Sequence, residues 1–243
     1  MVDRLLSRRL QCVLELVRPC AVLADVGTDH ALLPVAAVRH GIAARAIAID
    51  LREAPLRGAR AHIERSGLAD RVLVVQGDGL LALQHLEARA VVIAGMSGES
   101  MLRLIEAAPA QLARLEQLVL QPNQNVELIR AWARGRGWHL EDERLLEERG
   151  RFFVVCAFTP VQGEDPAYSV PGWTPAALCH VGPWLLARRD PVALRWFERQ
   201  RERLSRCVAQ GSSELLPELS IWEAACQAMR PAPSLSARSP SIR

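Results

Sequence analysis

Leu23-Ala-Asp-Val-Gly-Thr-Asp-His30 is the stretch from which the rest of the chain can be read. The apolar run from Ala21 to Val26 is short and stops at Gly27, which suits a buried strand leaving its sheet at a glycine turn. Downstream, helix-like Ala31 to His40 leads through Gly41 to a second strand, Ala46-Ile-Ala-Ile-Asp50. Pro55 stands where a helix can begin, and that helix runs to about Ser66 before Gly67. Val72 to Val75, Ala90 to Ala94 and Leu118 to Leu120 read as further strands, each after a helical stretch. Upstream, Leu5 to Val17 carries apolar residues at helical spacing and stops before Pro19. Short strands alternating with longer helices predict a parallel sheet covered by helices on both faces.

After a helix at roughly Gln124 to Gly135 the rhythm changes. Trp138 to Leu146 and Arg151 to Phe158 read as two strands joined through Glu147-Glu-Arg-Gly150, an antiparallel pair at the end of the sheet. A seven-stranded sheet whose last pair is a hairpin is the usual architecture of AdoMet-dependent methyltransferases. The expected fold class is therefore α/β, a Rossmann-like seven-stranded methyltransferase sheet over residues 1–160. Residues 160–175 hold four Pro together with Gly163 and Gly172 and read as a linker. Helical patterns follow at Pro175 to Arg188, Pro191 to Gln210 and Ser213 to Met229, giving a small helical domain over 161–230. The Pro/Ser/Arg-rich stretch 231–243 lacks periodicity and is expected to be a disordered tail.

Composition excludes several chemistries. The chain has 243 residues and a formal charge of +3, and all thirty basic residues are Arg. Without Lys there is no Walker-type phosphate loop, no Schiff-base or pyridoxal-phosphate chemistry and no protein-kinase signature. Half the residues are hydrophobic and 23% are charged, which suits a packed core. No apolar run approaches the ~18 residues of a spanning helix, so no membrane association is expected. The opening Met1-Val-Asp-Arg-Leu-Leu-Ser-Arg-Arg has no uninterrupted apolar segment, so no signal peptide and a cytoplasmic location are expected. The Cys are scattered without a Cys-x-x-Cys pair and the His lack metal spacing, so thiols stay free and no metal is expected.

The turn after the first strand also bears on the ligand. A dinucleotide turn requires Gly-x-Gly-x-x-Gly so that pyrophosphate can approach the backbone. Gly27 supplies the first glycine, but Asp29 occupies the second position and Leu32 the third. A carboxylate there repels pyrophosphate and tolerates the sulfonium and ammonium of S-adenosyl-L-methionine (AdoMet), which favours AdoMet over NAD. Asp50 ends the second strand, where an acidic group accepts from ribose hydroxyls. Asp78-Gly79 follows the third strand, where a carboxylate accepts from an adenine amino group. Gly95-Met96-Ser-Gly98 follows the fourth, where small residues let a ligand lie against backbone. All four stand at the carboxyl ends of strands in a parallel sheet, where such folds bind ligands.

Charge concentrates in the later part of the chain. Residues 1–150 balance, whereas 151–243 hold 11 Arg against 8 acids. Arg195, Arg199 and Arg203 share one helix face. The face reads either as a phosphate-tracking stripe or as a solvated surface paired with Glu198 and Glu202. Trp184, Trp196 and Trp222 are expected to pack a helical hairpin, with base stacking as the alternative.

Four runs carry a family resemblance: Ala-Asp-Val-Gly-Thr-Asp-His-Ala-Leu-Leu-Pro (24–34), Ala-Ile-Ala-Ile-Asp (46–50), Ile-Ala-Gly-Met-Ser-Gly (93–98) and Leu-Gln-Pro-Asn (120–123). In this order the chain resembles the bacterial tRNA (adenine-N1)-methyltransferases that modify adenosine 22. The likeness runs from about Leu6 to Phe158 and continues more weakly through Val181-Gly-Pro-Trp-Leu-Leu186. It departs at Ser97, Asp50 and Asp78, where the family more often has Gly, Glu and Asn. The resemblance implies that the helical domain is coiled-coil-like, and with a tRNA substrate the Arg195, Arg199 and Arg203 face is expected to grip phosphates that offset the cost of unstacking the base. It further implies AdoMet held by Asp25, Gly27, Asp29, Asp50, Asp78, Gly79, Gly95 and Met96. Adenine would lie between Asp29-His30 and Gln121-Pro122-Asn123, with Asp29, His30 and Asn123 as the catalytic set. A monomer is favoured, although the oligomeric state is not fixed by the sequence. Three rivals stay open: a methyltransferase for another RNA or a small molecule, a catalytically silent RNA-binding protein of the same fold, and, more distantly, an NAD enzyme.

Overall fold

The computed structural model describes residues 6–230. The expected tail at 231–243 lies outside the described residues. Seven strands form one sheet: β1 (Cys20–Val26), β2 (Ala43–Asp50), β3 (Val72–Gln76), β4 (Ala90–Ala94), β5 (Gln117–Gln121), β6 (Trp138–Glu148) and β7 (Arg151–Pro160). Their order is β3-β2-β1-β4-β5-β7-β6. The first five are parallel, β7 runs antiparallel to β5, and β6 pairs antiparallel with β7. The order reverses between β1 and β4, the switch point at which open α/β sheets bind ligands.

Helices cover both faces: α1 (Arg8–Glu15), α2 (Leu32–Arg39), α3 (Glu53–Arg65), α4 (Gly98–Glu106), the short α5 (Pro109–Leu112) and α6 (Val126–Gly135). Alternate residues of each strand serve different cores, as the period of two requires. Val91 and Ile93 of β4 pack with Met101, Ile105 and Ile129 of α4 and α6. Ala90 and Val92 pack with residues of α1, α2 and α3 on the other face.

The last third differs from the sequence expectation in two places. The helix expected over 175–188 is two, α7 (Pro175–Val181) and α8 (Pro183–Arg188). Gly182 breaks them at φ 91°, because Pro183 disfavours a helical residue before it and brings no N–H of its own. The segment expected to be a linker is pinned to the sheet. Asp165 accepts from the Leu140 N–H at 2.7 Å and the Ala167 N–H at 3.0 Å, and Tyr168 is buried.

Beyond α8, α9 (Pro191–Ala209) and α10 (Leu216–Met229) pack together through Trp196, Phe197 and Trp222, whose ring centroids lie 5.2–5.7 Å apart. Trp184 donates from Nε1 to the Leu140 carbonyl at 2.9 Å. Trp196 and Trp222 pack as the helical-hairpin reading expects, whereas Trp184 fastens α8 to β6 instead. The core under them continues without a break into that of α6, β5 and β7. A buried ion pair within the sheet part faces the later helices: Arg130 of α6 meets Glu143 of β6 at 2.6 Å, both side chains fully buried. Arg130 also donates to the Cys179 and His180 carbonyls at the end of α7.

Candidate active site

The site forms where β1, β2, β3 and β4 end. Gly27 leaves β1 with φ 78°, a left-handed conformation that costs glycine nothing. Its N–H and that of Thr28 donate to the Ile49 carbonyl at 2.9 and 2.8 Å, tying the β1 exit to β2. A Cβ built on Gly27 would overlap the Met96 methyl, so a side chain here would displace Met96 from the cavity as well as strain the backbone.

A cavity of about 460 Å³ opens there. Gly27, Asp50, Asp78, Gly79 and Met96 line it, so five of the eight residues expected at the cofactor stand around one space. Leu51, exposed and apolar, and Leu104 add hydrophobic wall. The Asp50 carboxylate is buried and oriented, accepting the Arg52 N–H at 2.8 Å through Oδ1. Oriented acceptors beside apolar wall and bare glycine backbone suit an adenosine, whose ribose offers donors and whose base offers a flat apolar face. AdoMet fits this donor set.

The other three expected cofactor residues stand apart from the cavity lining. Asp25 is buried on β1, and burial lifts its carboxyl to about 6, against the pull of the nearby Arg9 guanidinium. Gly95 lies behind Met96, its N–H donating to the Gln121 carbonyl and its carbonyl accepting from Asn123 Nδ2 at 2.7 Å. Asp29 stands two residues past Gly27, its side chain 80% exposed and its Oδ1 3.3 Å from Nε2 of His30, itself 60% exposed.

His30 and Ala31 both take left-handed backbone, which swings this pair outward before α2 starts. The His30 carbonyl meets His62 Nδ1 at 2.7 Å, and its ring lies over Gly58, where a Cβ would overlap the imidazole. Neither α3 residue was singled out in the sequence. After β5, Asn123 is exposed and fastened from both ends, its N–H to the Met96 carbonyl at 2.7 Å and its amide to Gly95. Gln121, expected to touch substrate, is instead wholly buried. Its side chain bonds Arg9 and the Pro122 carbonyl, and so braces the segment from beneath.

The geometry is thus a glycine-floored cavity with carboxylate acceptors, an exposed Asp–His pair two residues past Gly27, and a Pro122-Asn123 segment tied to Met96. A family model described as a methyltransferase domain matches residues 6–156. Over 195 residues the chain is 39% identical to the tRNA (adenine(22)-N(1))-methyltransferase of Bacillus subtilis, covering 80% of this chain and 81% of that protein. The chain belongs to the tRNA (adenine(22)-N(1))-methyltransferase family.

Solved structures of the family agree. The B. subtilis M1A22 tRNA methyltransferase TrmK matches with a TM-score of 0.80 and 33% identity, covering 92% of this chain and 97% of that one. Streptococcus pneumoniae Sp1610, a putative tRNA (m1A22) methyltransferase solved in complex with S-adenosyl-L-methionine, matches with a TM-score of 0.77 and 29% identity over 92% and 97% of the two chains.

Within this family member, two expectations about cations change. Arg9, on α1, was not anticipated. It reaches under the sheet's carboxyl edge to Gln121 and lies 5.7 Å from the Phe153 ring centroid. No local pattern in α1 signals that reach. Arg195, Arg199 and Arg203 do share a face, but it is not a free stripe. Arg195 pairs with Glu147 of β6 at 2.9 Å, Arg199 donates to the Gly150 carbonyl, and Arg203 lies 3.9 Å from Glu218. The first two hold α9 against the β6–β7 hairpin, so any RNA contact there competes with existing partners. Among the described residues no group of three or more His, Cys, Asp or Glu is arranged to hold a metal ion.

Proposed function

We propose that this chain uses AdoMet to methylate N1 of adenosine 22 in tRNA, giving 1-methyladenosine. The observation that carries the reading is the cavity at the β1–β4 switch, with the exposed Asp29–His30 pair two residues past Gly27 and Asn123 tied to Met96, in a chain 39% identical to an enzyme named for that reaction. AdoMet, when bound, supplies a methyl group made electrophilic by its sulfonium. Gly27, Asp50, Asp78, Gly79 and Met96 would hold it, with Asp25 and Gly95 supporting from behind.

Adenine N1 carries a free lone pair, so little base catalysis is needed. The protein's main task is to place the ring nitrogen in line at about 3–3.5 Å from the methyl carbon. We assign that placement to the Asp29–His30 rim on one side and Pro122-Asn123 on the other. N1-methyladenine is cationic until an amino proton leaves. Asp29 is the group that stabilises that charge or accepts the proton. The target base must leave its stack to arrive there, at a cost of a few kcal/mol. Arg195, Arg199 and Arg203 remain our candidates for phosphate contacts that offset it.

We place the protein in the cytoplasm, where tRNA is, and as a monomer. No described helix is long and apolar enough to cross a membrane. Incubating the purified protein with AdoMet and unmodified tRNA, then analysing the nucleosides by mass spectrometry, is expected to yield 1-methyladenosine. AdoMet binding without any methylated nucleoside would refute the substrate.

A further inference from the structure

A second cavity, of about 550 Å³, is lined in part by Asn123, whose N–H bonds the carbonyl of Met96 in the wall of the first. That is within the ~300–1,000 Å³ of pockets that take small organic groups. One wall is the Pro122–Asn125 segment between β5 and α6, the same segment that borders the proposed target base. The facing wall is helical, with His180 of α7, Gln200 and Arg203 of α9, and Glu218 of α10. Half-buried Phe152 of β7 completes it, with the Arg199 guanidinium 5.8 Å from its ring centroid.

We propose that this groove is a second nucleobase subsite, taking the base next to the target adenosine in the RNA strand. The proposal rests on the reading of the first site given above. A polynucleotide continues on both sides of its flipped base, so the neighbouring nucleotides must lie within one nucleotide's reach of Pro122 and Asn123. This groove begins at those two residues.

The lining favours a base over a phosphate. Carboxylates of Glu218 and Glu127 offset Arg203 in the lining, so the inside of the groove is mixed in charge and not the cationic surface a phosphate needs. Amide, imidazole and carboxylate side chains together supply the mix of donors and acceptors that an unstacked base edge requires. Phe152 offers an aromatic face of the kind on which any base stacks. At Glu218, Trp222 Nε1 at 3.3 Å, an Arg203 nitrogen at 3.9 Å and His180 Nδ1 at 4.0 Å all approach the same oxygen, Oε1. The Trp222 N–H bonds the carboxylate as an acceptor, and the other two nitrogens lie beyond hydrogen-bond reach. An exocyclic amino group donates to such an acceptor, and adenine, guanine and cytosine have one where uracil does not. The subsite therefore prefers an amino-bearing base.

The test compares wild type, Glu218→Gln and Gln200→Ala on intact tRNA transcripts and on transcripts whose base is removed at each position flanking the target, leaving the sugar-phosphate. Wild type is expected to lose roughly tenfold or more in kcat/KM on one of the two abasic transcripts, the scale of one lost base stack. Both variants are expected to lose activity on the intact transcript and little more on that abasic one, with AdoMet affinity unchanged. Uracil at that position is expected to cost wild type more than it costs Glu218→Gln. Indifference of wild type to both abasic transcripts would overturn the subsite, as would variant and abasic losses that simply multiply. Failure of wild type to methylate the intact transcript at all would instead overturn the underlying reading, and the subsite with it.

Discussion

Asp25 is a carboxylate that the fold keeps in an unfavourable place. Its pKa moves from 3.8 to about 6 because burial penalises the charged form. The folded value lies above the unfolded one, so the fold prefers the protonated acid. The stability this group allows is present below about pH 4 and is lost as pH rises through about 6. A move of that size corresponds to roughly 3 kcal/mol. Asp25→Asn is therefore expected to raise Tm near neutral pH and to change it little near pH 4, as read by thermal melts. Equal shifts at both would mean that the charge is not what costs stability. Asp29 is the opposite case, exposed and dispensable for packing. Asp29→Ala should keep its Tm and its AdoMet affinity by calorimetry while losing about 100-fold or more in turnover, the scale of a general acid–base group. Full activity would remove its catalytic assignment. Gly27, Asp50 and Asp78 were legible because strand periodicity fixes where strands end and what stands after them. Arg9 and Gln121 were not, because spacing does not say whether a side chain at a strand end turns into the site or into the body.

At the scale of elements, Glu143 holds the Arg130 guanidinium where it meets the Cys179 and His180 carbonyls of the C-terminal helices. Burial alone would lower the Arg130 pKa, but Glu143 at 2.6 Å more than offsets it and holds the guanidinium firmly protonated. Removing one partner strands a buried charge. Arg130→Met is expected to cost about 3–5 kcal/mol in urea denaturation, and adding Glu143→Leu should restore much of it. A single-variant cost below about 1 kcal/mol would show that no buried charge is left stranded. The strands were readable because each is a short apolar run between turn residues, and the hairpin because no helix separates its members. The break at Gly182-Pro183 was missed although both residues signal it, since the apolar period continues across them. Residues 160–175 read as a linker because Pro and Gly mark irregular backbone, and composition does not reveal that Asp165 fastens that backbone to β6.

Across the whole molecule, one sheet edge organises both proposed binding events. The β1–β4 switch opens the cavity suited to AdoMet, and the β5–α6 segment lies between it and the groove facing α9 and α10. Under that proposal the C-terminal helices are part of the substrate site, although their sequence shows only amphipathic periods and an excess of Arg. With no Lys in the chain, every cationic contact to RNA comes from Arg, whose fork binds phosphate in a bidentate way. The central claim is methylation of one ring nitrogen at one position. Its most direct test is to give the protein AdoMet with two unmodified transcripts of one tRNA, one with adenosine at position 22 and one with guanosine there. The digest of the first is expected to contain 1-methyladenosine and that of the second none. The same yield from both, or N6-methyladenosine in place of the N1 product, would contradict it.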